Sequence, residues 1–118
     1  MSERDLRLYC FDILDSSSAI FEFVKALSFE EFCNDRKTYS AVIREFEIIG
    51  EAVGKLPNEI KQRRLDVEWQ DIKDFRNLLI HEYFGVDLEI VWKIIQDDLP
   101  ILTDAVREIL QAESEIRA

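Results

Sequence analysis

An all-α bundle of four principal helices, up-and-down in type with short extra helices, is the fold this chain predicts. Three observations predict it. Apolar residues recur at three- and four-residue steps along nearly the whole chain. Three Gly and two Pro are too few for a sandwich or barrel that turns every ~8–12 residues. With 118 residues and 47% hydrophobic side chains, the chain suits one packed domain over residues 1–118.

The elements follow in order. Leu6, Cys10, Ile13, Leu14, Ile20, Phe21, Val24 and Leu27 mark a long amphipathic helix over residues 4–27, with the polar run Ser16-Ser17-Ser18 inside it. Ser28 and Glu31 have the Ser-x-x-Glu form of a capping box, which opens a short helical turn over residues 29–33. Asn34-Asp35 is a break. A second long helix over residues 38–53 places Tyr39, Val42, Ile43, Phe46, Ile49 and Val53 on one face. Gly54 is expected as a left-handed C-terminal cap, and Pro57 bars continuation.

Residues 57–64 form a short helix or turn, and 65–67 a linker. The third main helix is expected over residues 69–84, stopped by Gly85. Asp87 suits the N-cap of a fourth, with Leu88, Val91, Trp92 and Ile95 buried. Asp98-Leu99-Pro100 is expected to break or kink the path before a last helix buried through Leu102, Val106, Ile109 and Leu110.

Cys10 and Cys33 are too few for a disulfide scaffold or a zinc site and read as free thiols in a reducing cytoplasm. The charged start lacks the apolar core of a signal peptide, and no apolar run approaches the ~20 residues of a membrane span. The expectation is a soluble, cytoplasmic protein without membrane contact. Fifteen Lys and Arg against 25 Asp and Glu leave a net charge of −10, which weighs against a DNA reader with an extended basic face.

One segment is chemically dense. Residues 69–84 hold the only His, with an Arg five residues before it. On a helical wheel Arg76 and Tyr83 fall inside the apolar arc of Ile72, Phe75, Leu79 and Ile80, whereas Asn77, His81 and Asp74 lie on the polar side. A guanidinium in an apolar arc must meet a carboxylate, a backbone end, an anion or another subunit. Glu47 and Glu51 are the internal carboxylates within reach of that reading. His81 is either an ordinary helix histidine bonded to Asn77 or a backbone carbonyl, or an acid/base group titrating near neutrality. Tyr83 is either a core-edge aromatic or a functional hydroxyl. Arg76 and His81 diverge by about 140° on an ideal helix, so a shared phosphate requires Arg reach, a distorted helix end or two chains. A two-fold dimer brings two copies of the segment together.

Arg76-x4-His81-x-Tyr83 resembles the Arg-x4-His-x-Tyr signature of HEPN-domain proteins, and specifically of the HepT toxins of HepT–MNT toxin–antitoxin modules. The resemblance is sharpest over residues 69–100, where Trp69, Asp71-Ile72, Asn77, Phe84-Gly85, Trp92 and Asp98-Leu99-Pro100 surround the motif. It implies a small all-helical homodimer with the motif helices lining an interface cleft, and a metal-independent endoribonuclease that needs no cofactor. Carried over, His81 assists attack of the ribose 2′-hydroxyl, and Arg76 binds the phosphate and stabilises its transition-state charge. Asn77 orients Arg76 or the RNA backbone. Tyr83 is the residue that a minimal nucleotidyltransferase antitoxin AMPylates, adding bulk and negative charge beside the phosphate site.

Two further readings stand beside the ribonuclease: a non-catalytic HEPN subunit that binds nucleotide or partners a nucleotidyltransferase, and a plain helical interaction domain. The intact Arg76/His81 pair favours the enzyme, and the acidity favours the others. Screening over about 8–10 Å isolates a cleft from acids on far faces. The enzyme reading therefore expects weak, salt-sensitive RNA binding at a small positive patch.

Overall fold

A computed structural model describes residues 2–81 and 86–117, the side chains of residues 80, 81 and 114–117 excepted. Helix α1 (Glu3–Val24) starts on Ser2, whose Oγ accepts the Asp5 N–H at 3.1 Å. It runs unbroken through the serine triplet, with Ser16 and Ser17 buried. The capping box forms as expected. Ser28 Oγ accepts the Glu31 N–H at 3.1 Å, Glu31 Oε1 accepts the Ser28 N–H at 2.9 Å, and α2 spans Phe29–Cys33.

Helix α3 (Arg36–Lys55) is capped by Asp35, which accepts from the Thr38 N–H at 3.1 Å. Gly54 is not its cap. The helix passes through Gly54 with no positive φ and ends at Leu56, whose extended backbone (φ −71°, ψ 137°) is what the following Pro57 demands. The expected short helix is α4 (Asn58–Lys61).

Helix α5 (Trp69–His81) carries the dense segment; residues 82–85, where its expected end at Gly85 falls, lie outside the described residues. Asp87 caps α6 (Leu88–Lys93), accepting the Glu89 N–H at 2.9 Å. No break occurs at Pro100. A π turn, Ile94–Asp98, leads directly into α7 (Leu99–Arg117), with the Leu99 N–H donating to the Ile94 carbonyl five residues back. Pro100 cannot donate to the carbonyl four residues before it, and the wider turn ahead of it absorbs the mismatch.

The four principal helices are thus α1, α3, α5 and the composite rod from α6 to α7, with no strand among the described residues. One core unites them, including Ile13 and Ile20 of α1, Val42 and Ile49 of α3, Phe75 and Leu79 of α5, and Leu102 and Val106 of α7. Helix α3 is central, packing on α1 along one side and on α5 along the other. An edge-on ring pair, Phe46–Phe75 with centroids 5.4 Å apart, ties it to α5. Phe32 and Trp92, 5.2 Å apart, close the corner between α2 and α6. No helix among the described residues is long and apolar enough to cross a membrane.

Candidate functional site

The seam between α3 and α5 positions the candidate site. Its register is set at the start of α5, where the Trp69 indole N–H donates to the Lys61 and Arg64 carbonyls, both at 3.0 Å. From there Trp69, Phe75 and Leu79 turn inward and Asn77 and Leu78 outward, as the wheel requires. Arg76 sits between these faces, half-buried.

Gly50 of α3 makes that placement possible. A Cβ on Gly50 would overlap the Arg76 Cβ, and would stand 2.6 Å from its Cγ and 3.5 Å from its Cα. One turn on, a Cβ at Gly54 would meet the Lys73 chain at 3.7–4.0 Å, an ordinary contact. The stems of Lys73 and Arg76, neighbours at i,i+3, therefore lie along a strip of α3 that carries no side chains.

The internal ion pair considered for Arg76 does not form. Glu47 bonds Arg44 at 3.2 Å, and Glu51 opens toward Tyr9 and Lys55 on the α1 side of α3. Among the described residues no carboxylate lies within ion-pair distance of Arg76. Its Nη1 donates to Asn77 Oδ1 at 3.2 Å, and its Nε is buried with no acceptor. A guanidinium so held keeps its charge unneutralised and can take an oxyanion. Burial first, and the nearby Lys73 second, push the Lys61 ammonium below its ordinary value. Lys61 and Lys73 thus lie close enough to feel each other's charge.

The structure brings Arg76 and Asn77 together. The described part of α5 reaches the backbone of His81, whose side chain lies outside the described residues, as does the whole of Tyr83. Gly50 was invisible to the motif. Its one signal in the sequence is a glycine inside an amphipathic helix, costing about 1 kcal/mol against Ala and so requiring a packing reason. Nothing local in the sequence marks a second feature, a cavity of about 70 Å³ lined by Phe46, Ile49, Phe75 and Leu102 together with Asp71 and Asp98. Burial, then Asp97, and last Asp71 raise the Asp98 carboxyl above its ordinary value, against an opposing pull from Lys93.

Fold and site define a small all-α protein of the HEPN type, with a half-buried arginine on an interhelical seam that meets no carboxylate among the described residues. The chain belongs to the family described as "Ribonuclease HepT-like", which matches residues 13–109. Among similar curated proteins is "Probable ribonuclease HepT" of Thermococcus cleftensis, 41% identical over 100 residues that cover 85% of this chain and 91% of that one. "Putative RNase TTE0752" of Caldanaerobacter subterraneus subsp. tengcongensis is 44% identical over 107 residues, 91% of this chain and 96% of that one. "Putative RNase MJ1380" of Methanocaldococcus jannaschii is 41% identical over 100 residues, 85% and 92% of the two chains. No solved structure matches the chain significantly.

Proposed function

We propose that this chain is a metal-independent endoribonuclease, the toxin of a cytoplasmic toxin–antitoxin pair. The observation that carries the reading is Arg76: half-buried, with no carboxylate at ion-pair distance among the described residues, its guanidinium hydrogen-bonded to Asn77. An uncompensated cation on an apolar seam has a reason to exist if a phosphate completes it. Family membership and relatives named as RNases support the same reading.

In this mechanism His81 takes the proton of a ribose 2′-hydroxyl. The 2′-oxygen attacks the adjacent phosphorus, and the 5′-oxygen leaves with a proton. Arg76 binds the phosphate and stabilises its added charge in the transition state. The products are a 5′-hydroxyl and a 2′,3′-cyclic phosphate. A homodimer places two copies of the motif across one cleft, which relieves the angular divergence of Arg76 and His81 on a single helix. The partner is a minimal nucleotidyltransferase antitoxin that transfers AMP to Tyr83, and the added charge repels RNA.

The test uses the purified, antitoxin-free protein with RNA in EDTA. Cleavage with cyclic-phosphate ends, lost in both Arg76→Ala and His81→Ala, is the expected result. Persistent cleavage by His81→Ala sinks the mechanism. Light scattering tests the dimer, and peptide mass mapping after incubation with the transferase and ATP tests Tyr83. The net charge of −10 favours the non-catalytic partner subunit as the second reading. An inert wild-type protein that still binds the transferase would establish it.

A further inference from the structure

We infer that Gly50 is a positioning residue for Arg76: its missing side chain sets where the guanidinium ends. The consequence for cleavage rests on the ribonuclease reading above; the geometric claim does not.

The Cβ that any other residue would bring at position 50 collides with the Arg76 stem at its root, at Cβ and Cγ, with Cα only 3.5 Å away. A clash at the tip of a long side chain is relieved by a rotamer change. One at the root moves the backbone or swings the whole side chain. The rest of the guanidinium depends on that stem. Its Nε is already buried with no acceptor, and its Nη1 reaches Asn77 on the same helix, so among the described residues no hydrogen bond to a second element would hold it in place after a shift. Packing across Gly50 thus holds the head as well as the chain. A displacement of about 1 Å at a group that stabilises a transition state is enough to cost on the order of 100-fold in rate.

Gly54 supplies an internal control. It lies on the same helix one turn away, against the neighbouring Lys73, yet a Cβ there makes only ordinary contacts at 3.7 Å or more. Both Gly→Ala changes replace a helical glycine of α3 by a better helix former. What differs is the contact with Arg76.

The experiment compares Gly50→Ala with Gly54→Ala in the full chain, well below both melting temperatures. Two readouts are used: initial rates of RNA cleavage, and the Nε–H signal of Arg76 in a ¹H–¹⁵N spectrum, assigned by its loss in Arg76→Lys. A purely structural defect would not selectively move that signal in a folded protein. Gly50→Ala is expected to shift it or speed its solvent exchange and to lower kcat at least tenfold, more than it raises KM. Gly54→Ala is expected to change the rate less than twofold and leave the signal in place. A folded Gly50→Ala with an unmoved Arg76 signal and wild-type kcat overturns the inference. If the wild-type protein cuts no RNA, the ribonuclease reading fails, and the Nε–H signal alone decides the role of Gly50. Should Gly50→Ala not fold, the double variant Gly50→Ala/Arg76→Gly transfers the missing Cβ to the other helix. Recovery of cooperative melting supports the contact as described, and failure to recover overturns it.

Discussion

Arg76 Nη1 donates to Oδ1 of Asn77, the next residue on α5, at 3.2 Å. The acceptor is a neutral amide, so the guanidinium gains an orienting bond and keeps its full charge for an incoming anion. Asn77→Ala removes the orientation alone. An exposed hydrogen bond of this kind is worth about 0.5–1.5 kcal/mol, or roughly 2- to 10-fold in cleavage rate. Asn77→Asp is worse despite retaining an acceptor, because its carboxylate neutralises the charge that the phosphate needs. Its rate is expected to fall more than tenfold (about 1.4 kcal/mol or more). Equal rates for the Asp and Ala variants would show that charge at Arg76 is not what the bond preserves.

The start of α5 rests on Trp69, whose indole N–H serves two carbonyls, Lys61 and Arg64, at 3.0 Å each. Trp69→Phe keeps the ring and leaves both acceptors without this donor in a part-buried corner. The expected cost is about 1–3 kcal/mol of unfolding free energy, read from urea melts. Leu65→Ala in the same loop, where the side chain is 81% exposed, is expected to change stability by no more than about 0.5 kcal/mol.

Helix period and caps were legible because they are local. Ser28 with Glu31, Asp87, and the apolar stripe of α3 each declare themselves within a few residues. Gly54 misled for the same reason. A glycine two residues before a Leu-Pro pair has the form of a cap, whereas its role depends on Lys73, which lies 19 positions further along the chain. The π turn before Pro100 was illegible too, since a proline near a helix start announces a boundary and nothing local distinguishes a widened turn from a break. At the site, the wheel placed Arg76 in the apolar arc, and the half-buried side chain agrees. Which group would meet it was a question of tertiary packing. The glutamates of α3 within reach by sequence point elsewhere, to Arg44 and toward α1.

The two cysteines are expected to differ sharply in reactivity. Cys10 has no exposed surface, and burial, followed by the charge of Glu113, pushes its thiol up to about 11. At pH 8 about one molecule in a thousand then carries the thiolate, the reactive species. Cys33 is only half-buried. A disulfide reagent at pH 8 should titrate one thiol in the native protein and the second only in denaturant. Cys33→Ser should abolish the native reaction. Two equivalents at native speed would mean that the α1 core opens far more often than its packing implies.

Asp98 predicts a pH dependence of stability. Its carboxyl is raised in the folded protein by burial first, then by Asp97, with Lys93 opposing and Asp71 adding last. A carboxyl raised above its unfolded value of about 3.9 favours the fold while protonated, and that contribution is lost as pH climbs through the folded value. Asp98→Asn keeps the shape and removes the charge. At pH 3 the variant and the wild type should melt together. A gap in favour of Asp98→Asn should open above pH 4 and be complete by neutrality, where the ionised carboxylate beside the apolar cavity is most costly. Asp97→Asn should give a smaller rise in Tm, because it removes a secondary cause and leaves Asp98 half-buried as before. Lys93→Ala should shift Tm the other way, since that ammonium is the charge that eases the burial. An Asp98→Asn protein that melts below wild type at pH 7 would instead mean that the carboxylate makes a contact worth more than its desolvation costs.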